Sequence, residues 1–222
     1  MKRSPAIADG QTEEESPGAS GLISEVEEEP PGRVASRNRT RFFGQVPDES
    51  WHDWKWHFRN RITTVDELTR YIPLTAKDRE QIRLVATRYP LSITPYYLSL
   101  INSGELNDPI RIQAIPSFKE IGLAGIGMDD PLDESGYSVV PGLVHKYPDR
   151  ALMVLTDICP TLCRHCTRKR EWQKGGWVQS GDQVSLMLDY IRNHSKVRDV
   201  IISGGDPLSL STRRLEAVLA GL

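Results

Sequence analysis

From Arg150 onward the chain alternates strand-like and helix-like segments, and that succession constrains its fold more than any other feature. Ala151 to Leu155 is a short, wholly apolar run that reads as a buried strand; Gln183 to Asn193 reads as a helix, Asp199 to Ser203 as a second strand, and a further helix starts at Thr212. Strand, helix, strand and helix in that order predict a parallel sheet with right-handed crossovers. In such sheets chemistry gathers at the carboxyl ends of the strands. A Cys-x3-Cys-x2-Cys array follows the first strand, and Ser203-Gly204-Gly205-Asp206 ends the second. Both motifs should therefore face one shared site.

Cys159, Cys163 and Cys166 are the three cysteines of the chain. Three thiolates from one loop can hold three irons of a [4Fe-4S] cluster and leave the fourth iron open to a small molecule. An open iron implies chemistry rather than electron carriage alone. Zinc remains an alternative, with His165 completing a four-ligand set, as do three ordinary buried thiols. An odd count in a chain without a secretory signal argues against a disulfide. Gly204 and Gly205 remove side chains so that backbone groups can approach a ligand, and Asp206 offers a carboxylate, although a strand-to-helix turn often carries glycine for steric reasons alone.

The string Cys163-Arg164-His165-Cys166-Thr167-Arg168, within the loop Asp157 to Arg170, resembles the cluster loop of the radical S-adenosylmethionine enzymes, and more narrowly the lysine 2,3-aminomutase family. The stretches Trp51 to Ile62, Ile93 to Leu100, Asn107 to Arg111, Gln113 to Pro116, Val140 to His145 and Val197 to Leu208 are similar to that family in the same order. The resemblance covers about residues 50 to 222. It implies a partial TIM-type (β/α) barrel whose first part is residues 150–222. A helical region over residues 46–149 and a disordered acidic tail over residues 1–45 would precede it.

The resemblance also implies roles. Ser203, Gly204, Gly205 and Asp206 would contact the methionyl amino group of S-adenosylmethionine. Lys146, Tyr147 and Arg150 match positions that hold the phosphate of pyridoxal 5'-phosphate, with Lys146 standing where lysine-specific members carry arginine. Arg168 matches the arginine that pairs with the substrate carboxylate, a role suited to its planar fork of donors. The implied reaction moves an amino group from the α- to the β-carbon of an amino acid, L-lysine to L-β-lysine first. Glutamate, arginine, or a lysine on a translation factor are the other implied substrates. An external electron donor such as flavodoxin or ferredoxin, and assembly into a homo-oligomer, belong to the same expectation. A non-catalytic iron-sulfur interaction module is the reading of a different class.

Composition bounds the rest. A hydrophobic fraction of 38% suffices for a core, and a formal net charge of -2 points to neither nucleic acid nor membrane as partner. With no apolar stretch of about 18 residues and no apolar leader, the expected compartment is the cytoplasm. Residues 1–32 hold eight acids against Lys2 and Arg3, with four prolines interspersed, a disordered composition. Order should begin near Phe42 to Trp51, where Trp51, Trp54, Trp56 and Phe58 read as helix packing. Thr64-x-x-Glu67 and Thr75-x-x-Asp78 read as helix starts, as does Thr94-Pro95, whereas Gly122 to Pro141 reads as loop. Two strands fall short of a barrel, which takes roughly 200 residues, so the chain reads as a fragment that would be inactive alone and that lacks the pyridoxal lysine.

Overall fold

A computed structural model describes residues 31–222. The acidic stretch before Pro31 lies outside the described residues, and so does its expected disorder. Helix α1 spans Pro31–Phe43, so order begins earlier than the sequence suggests. Composition missed it because the acidic, proline-rich stretch runs straight into it, while its partners lie far along the chain. Val34 and Phe43 are buried, and the Asn38 amide donates to the carbonyls of Ser99 and Ile101 at 2.9 and 2.8 Å.

Short helices follow: α2 (Asp48–His52), α3 (Trp54–Arg59), α4 (Val65–Leu68), α5 (Ala76–Ala86), α6 (Pro95–Ser99), α7 (Pro109–Ala114) and α8 (Lys119–Gly122). Their starts are chemically explicit. Thr64 and Thr75 each form a complete capping box, with Glu67 and Asp78 as the reciprocal carboxylates, and Thr94 caps α6 with Pro95 in its first turn. Trp51, Leu68, Ile93, Leu98 and Ile101 form the buried centre of this region. Trp51 packs edge-on against His57 as expected, while Trp54 is half exposed.

The second region is a four-stranded sheet in the order β1-β2-β3-β4, comprising β1 (Ser138–Val140), β2 (Leu143–Tyr147), β3 (Arg150–Val154) and β4 (Asp199–Ser203). The first three strands pair antiparallel, and β3 and β4 pair parallel from Arg150↔Asp199 to Val154↔Ser203. The expected parallel sheet is thus a mixed one, in which the β3–β4 pair is the parallel part. The segment read as loop hides a hairpin, closed at Pro141-Gly142 with Gly142 at φ +84°. Between β3 and β4 the chain crosses through α9 (Gly181–Arg192), and α10 (Thr212–Gly221) follows β4. Ala151, Met153 and Leu155 pack with Met187, Leu188 and Val218 from those helices. By alternation Leu152 and Val154 take the other face, as does Ile201, which is half exposed.

Candidate metal centre and cofactor cavity

The cysteine loop leaves the carboxyl end of β3 and lies against the helical region. Ser92 fixes it from two sides: its hydroxyl donates to the Pro160 carbonyl at 2.8 Å, and its own carbonyl accepts from Leu162 N at 2.9 Å. Thr94 N donates to the Thr161 hydroxyl at 3.3 Å, Arg164 N to the Gln113 carbonyl at 2.7 Å, and Arg61 Nη1 to the Cys159 carbonyl at 3.1 Å. Beneath the loop the Arg164 guanidinium is almost wholly buried. It gives Nε and Nη2 to Glu120 and Nη1 to the Pro90 carbonyl, and Lys169 Nζ also donates to Glu120 at 2.6 Å. Burial alone would raise the Glu120 carboxyl, yet the donors from Arg164 and Lys169 outweigh it and hold the group below its ordinary range.

At the start of the loop, Thr156 and Asp157 tie it to the segment after Gly175. The Thr156 hydroxyl donates to the Trp177 carbonyl at 2.7 Å, and the Asp157 carboxylate accepts from the backbone of Gly176 and Trp177. Gly204 and Gly205 pack directly on this backbone. Gly204 holds φ +143°, and a Cβ on either residue would fall within contact distance of the backbone of Thr156 to Ile158. Gly205 N and Asp206 N donate to the carbonyls of Thr156 and Ile158. The glycines therefore bring two loops of the protein together, which is the steric reading of a strand-to-helix turn.

The result is one cavity of about 360 Å³ at the carboxyl ends of β3 and β4, lined by Cys159, Cys163, Cys166, Arg168, Ser203, Gly204 and Gly205. A larger cavity, about 550 Å³, opens between α5 and α7 and is lined by His165 but by none of the cysteines, and Cys166 also borders a third of about 370 Å³ beside Lys169 and Arg170. Of the expected site residues, Asp206 turns its carboxylate to Leu208 N as the cap of a short turn, while its charge still reaches Cys159. Lys146, Tyr147 and Arg150 lie at the opposite end of β3. Lys146 Nζ donates to the Leu132 carbonyl at 3.0 Å, Tyr147 is exposed, and Arg150 gives Nε and Nη2 to Asp149. Arg150 and Val154 are four strand positions apart, about 13 Å at the usual rise.

Burial disfavours free thiolates at Cys159 and Cys163. Burial pushes the Cys159 thiol up to about 12, with Cys166 and Asp206 adding to the shift, and Cys163 rises for burial first and Cys166 next. A thiol shifted this way keeps its proton until a metal replaces it, so these groups suit ligation better than free nucleophilic attack. Among the described residues no group of three or more His, Cys, Asp or Glu side chains converges on a single-ion site. A [4Fe-4S] cluster asks for something else, one thiolate per iron around a shared space, and three thiols facing one cavity fit that requirement.

Arg168 differs most from its expected setting. Its Nε and Nη2 engage Glu134, with Nη2 to Oε1 at 2.6 Å, and its Nη1 donates to Ser203 Oγ and the Gly204 carbonyl at 3.1 and 3.2 Å. Sequence reasoning missed Glu134, Glu120 and Arg61. Glu134 lies in the glycine-rich stretch 122–141, and nothing local to any of the three marks them; only the fold brings them to the cysteine loop.

No family model matches the chain. Curated relatives do. The chain is 46% identical over 184 residues to the L-lysine 2,3-aminomutase of Clostridium subterminale, an alignment covering 83% of this chain and 44% of that protein. It is 39% identical over 177 residues to the L-lysine 2,3-aminomutase of Bacillus subtilis, covering 80% and 38%. To the glutamate 2,3-aminomutase of Clostridioides difficile it is 37% identical over 175 residues, covering 79% and 41%. The chain thus spans less than half the length of each of these relatives. Because these relatives are 37–46% identical over about four fifths of this chain, the chain belongs to the lysine 2,3-aminomutase family.

Proposed function

We propose that this chain forms the cofactor-activating part of a radical S-adenosylmethionine aminomutase that moves the amino group of L-lysine from the α- to the β-carbon, and that its sheet is the start of a (β/α) barrel. The observation that carries the reading is the single cavity in which Cys159, Cys163 and Cys166 face the Ser203–Gly205 turn. When bound, a [4Fe-4S] cluster and S-adenosylmethionine supply one electron and the carbon radical that its delivery creates. The chain's own residues do the rest by placement. Cys159, Cys163 and Cys166 hold three irons, and the loop contacts of Ser92, Thr94 and Arg61 fix where those thiols stand. Ser203 and the adjoining backbone form the wall that receives the methionyl end of S-adenosylmethionine.

Arg168 is the group for the α-carboxylate of the substrate, which its planar fork of donors can pair. Lys146, Tyr147 and Arg150 are assigned to the phosphate of pyridoxal 5'-phosphate. Arg150 shares by alternation the open face of Val154, which lines the cavity, so an elongated ligand lying along β3 would reach from one end to the other. The Nη1–Nη2 end edge of Arg150 is left for such a phosphate, beside the exposed Tyr147.

Glutamate is the second substrate reading, favoured by the identity to a glutamate 2,3-aminomutase. Either substrate presents the α-carboxylate that Arg168 would take. The deciding experiment, on a polypeptide that carries this chain at the full length of these relatives, is anaerobic reconstitution with iron and sulfide, reduction, and assay of 5'-deoxyadenosine and β-amino acid formation from lysine and from glutamate. Cluster assembly without S-adenosylmethionine cleavage would make the chain an iron-sulfur interaction module instead. Among the described residues no helix is long and apolar enough to cross a membrane. The cytoplasm and an external electron donor of the flavodoxin or ferredoxin kind complete the proposal, together with homo-oligomeric assembly.

A further inference from the structure

Glu134 is a buried carboxylate that accepts four hydrogen bonds from two guanidiniums beside the cavity. Both its oxygens accept from Arg168 Nε at 3.0 Å, Oε1 accepts from Arg168 Nη2 at 2.6 Å, and Oε2 accepts from Arg170 Nη2 at 2.8 Å. Its own backbone is pinned, since Glu134 N donates to Asp130 Oδ1 at 3.1 Å and Asp130 pairs with Arg170 at 3.2 Å. Glu134 is 8% exposed, so the arrangement is a built part of the interior and not a surface ion pair.

A guanidinium has five N–H donors in one plane, arranged as a side edge of Nε with one Nη2 hydrogen and an end edge of Nη1 with the other. Glu134 takes the side edge of Arg168. The end edge is turned to the cavity wall, where Nη1 meets Ser203 Oγ and the Gly204 carbonyl. A carboxylate can pair with either edge, so a free Arg168 would offer a ligand two orientations that differ in where the rest of the ligand points.

We propose that Glu134 is a positioning residue that occupies the Nε–Nη2 edge of Arg168 and so presents only the Nη1–Nη2 edge, against Ser203, to the α-carboxylate of the amino-acid substrate. The inference rests on the substrate-carboxylate role proposed above for Arg168. Burial by itself would raise the Glu134 carboxyl, but the bonds from Arg168 outweigh it and keep the group an anion, as the role requires. Receiving a substrate then means exchanging the Ser203 or Gly204 contact for the new carboxylate, while the Glu134 pair stays in place.

Two measurements test this. In the metal-free protein, the Arg168 Nε–H should give a nitrogen-correlated proton resonance protected from water exchange; Glu134→Gln should expose it, and Glu134→Asp should protect it in part. In the full-length polypeptide that carries this chain, anaerobically reconstituted, Glu134→Gln should raise KM for the amino acid by about tenfold or more, with a smaller fall in kcat and with iron content as in the wild type. Glu134→Asp should recover part of that loss, and it carries the test if the glutamine variant does not fold. Wild-type turnover with an unchanged KM in both variants overturns the inference and leaves the proposed function intact. A fall in KM overturns it too, because it would make Glu134 a competitor for the substrate's seat. If that full-length polypeptide in its wild-type form assembles no cluster or turns over no amino acid, the proposed function fails and this inference with it, whatever the Nε–H signal shows.

Discussion

The helical region and the sheet region bury their apolar residues in opposite ways. In the first, Leu68, Ile93 and Ile101 sit at a closed centre to which several short helices contribute. In the second, only one face of β3 and β4 is packed, against α9 and α10, while the other stays open beside the cysteines. The contrast shows where each half's rigidity comes from. Residues 156–166 have little core of their own, and they borrow position from the closed region through Ser92, Thr94, Arg61, Gln113 and the buried Arg164–Glu120 pair. A closed block thus serves as the platform, and an open sheet face as the wall of the cavity.

If that division is right, the largest effect belongs to the thiols themselves. Cys159→Ala, Cys163→Ala and Cys166→Ala should each abolish the reconstituted cluster, read as iron and sulfide content and as the EPR signal of the reduced protein. The same variants should leave the helix signal in far-ultraviolet circular dichroism unchanged, since none of the three is part of either core. Full cluster content in any of them would show that the loop is not the ligand set.

Next in size is the joint between the regions. Glu120→Gln leaves Arg164 buried with its main anionic partner neutralised, which should cost on the order of 3–5 kcal/mol in denaturant unfolding. It should also lower cluster retention, because Arg164 stands between two of the cysteines. The pH dependence has a definite sign. The Glu120 carboxyl is held below its ordinary value of 4.5 in the folded protein, so its stabilisation is fully present above that value and is lost as pH falls through the depressed one. Acid titration of stability should therefore flatten below about pH 4.5 in Glu120→Gln relative to the wild type. Parallel curves would mean the pair contributes nothing to the joint.

Within the closed core, Ile93→Ala should cost about 2–5 kcal/mol through the cavity it leaves. Ile93 lies between Ser92 and Thr94, both bonded to the cysteine loop, so the variant should also speed loss of iron to a chelator. Met153→Ala, in the sheet core, should destabilise by a comparable amount with less effect on iron release. Equal release rates would erase the distinction between platform and wall.

What the sequence made legible follows the range of the interactions. The strands β3 and β4, taken singly, the helices α9 and α10, and the caps at Thr64, Thr75 and Thr94 rest on patterns within a few residues, and each is where its local pattern puts it. The hairpin of β1 and β2 was hidden because its strands are short and flanked by glycine and proline, though the Pro141-Gly142 pair between Ser138–Val140 and Leu143–Tyr147 is the signal that could have found it. Helix α1 escaped because an acidic, proline-rich stretch runs straight into it. The long-range partners were out of reach altogether: Glu134 is 34 residues from Arg168, Glu120 is 44 from Arg164, and Arg61 is 98 from Cys159.

The smallest expected effect sharpens the comparison from its far side. Thr75 caps α5 by accepting from Asp78 N at 3.1 Å, while its backbone N–H donates to the Asp78 carboxylate at 3.0 Å. The site is exposed, and α5 reaches the core through Ile82 and Val85 rather than through its first turn. Thr75→Ala removes the hydroxyl acceptor and should cost about 1 kcal/mol, the usual worth of a cap. Nothing at this end of α5 touches residues 156–166, so iron content and its release to a chelator should match the wild type. A capping variant that loosened the cluster would mean that the helical region responds as one cooperative unit, in which any loss of stability reaches the cysteines. A variant that lost only the expected stability would instead trace the support of the loop to Ser92, Thr94 and the Arg164–Glu120 pair, the places where the two regions meet.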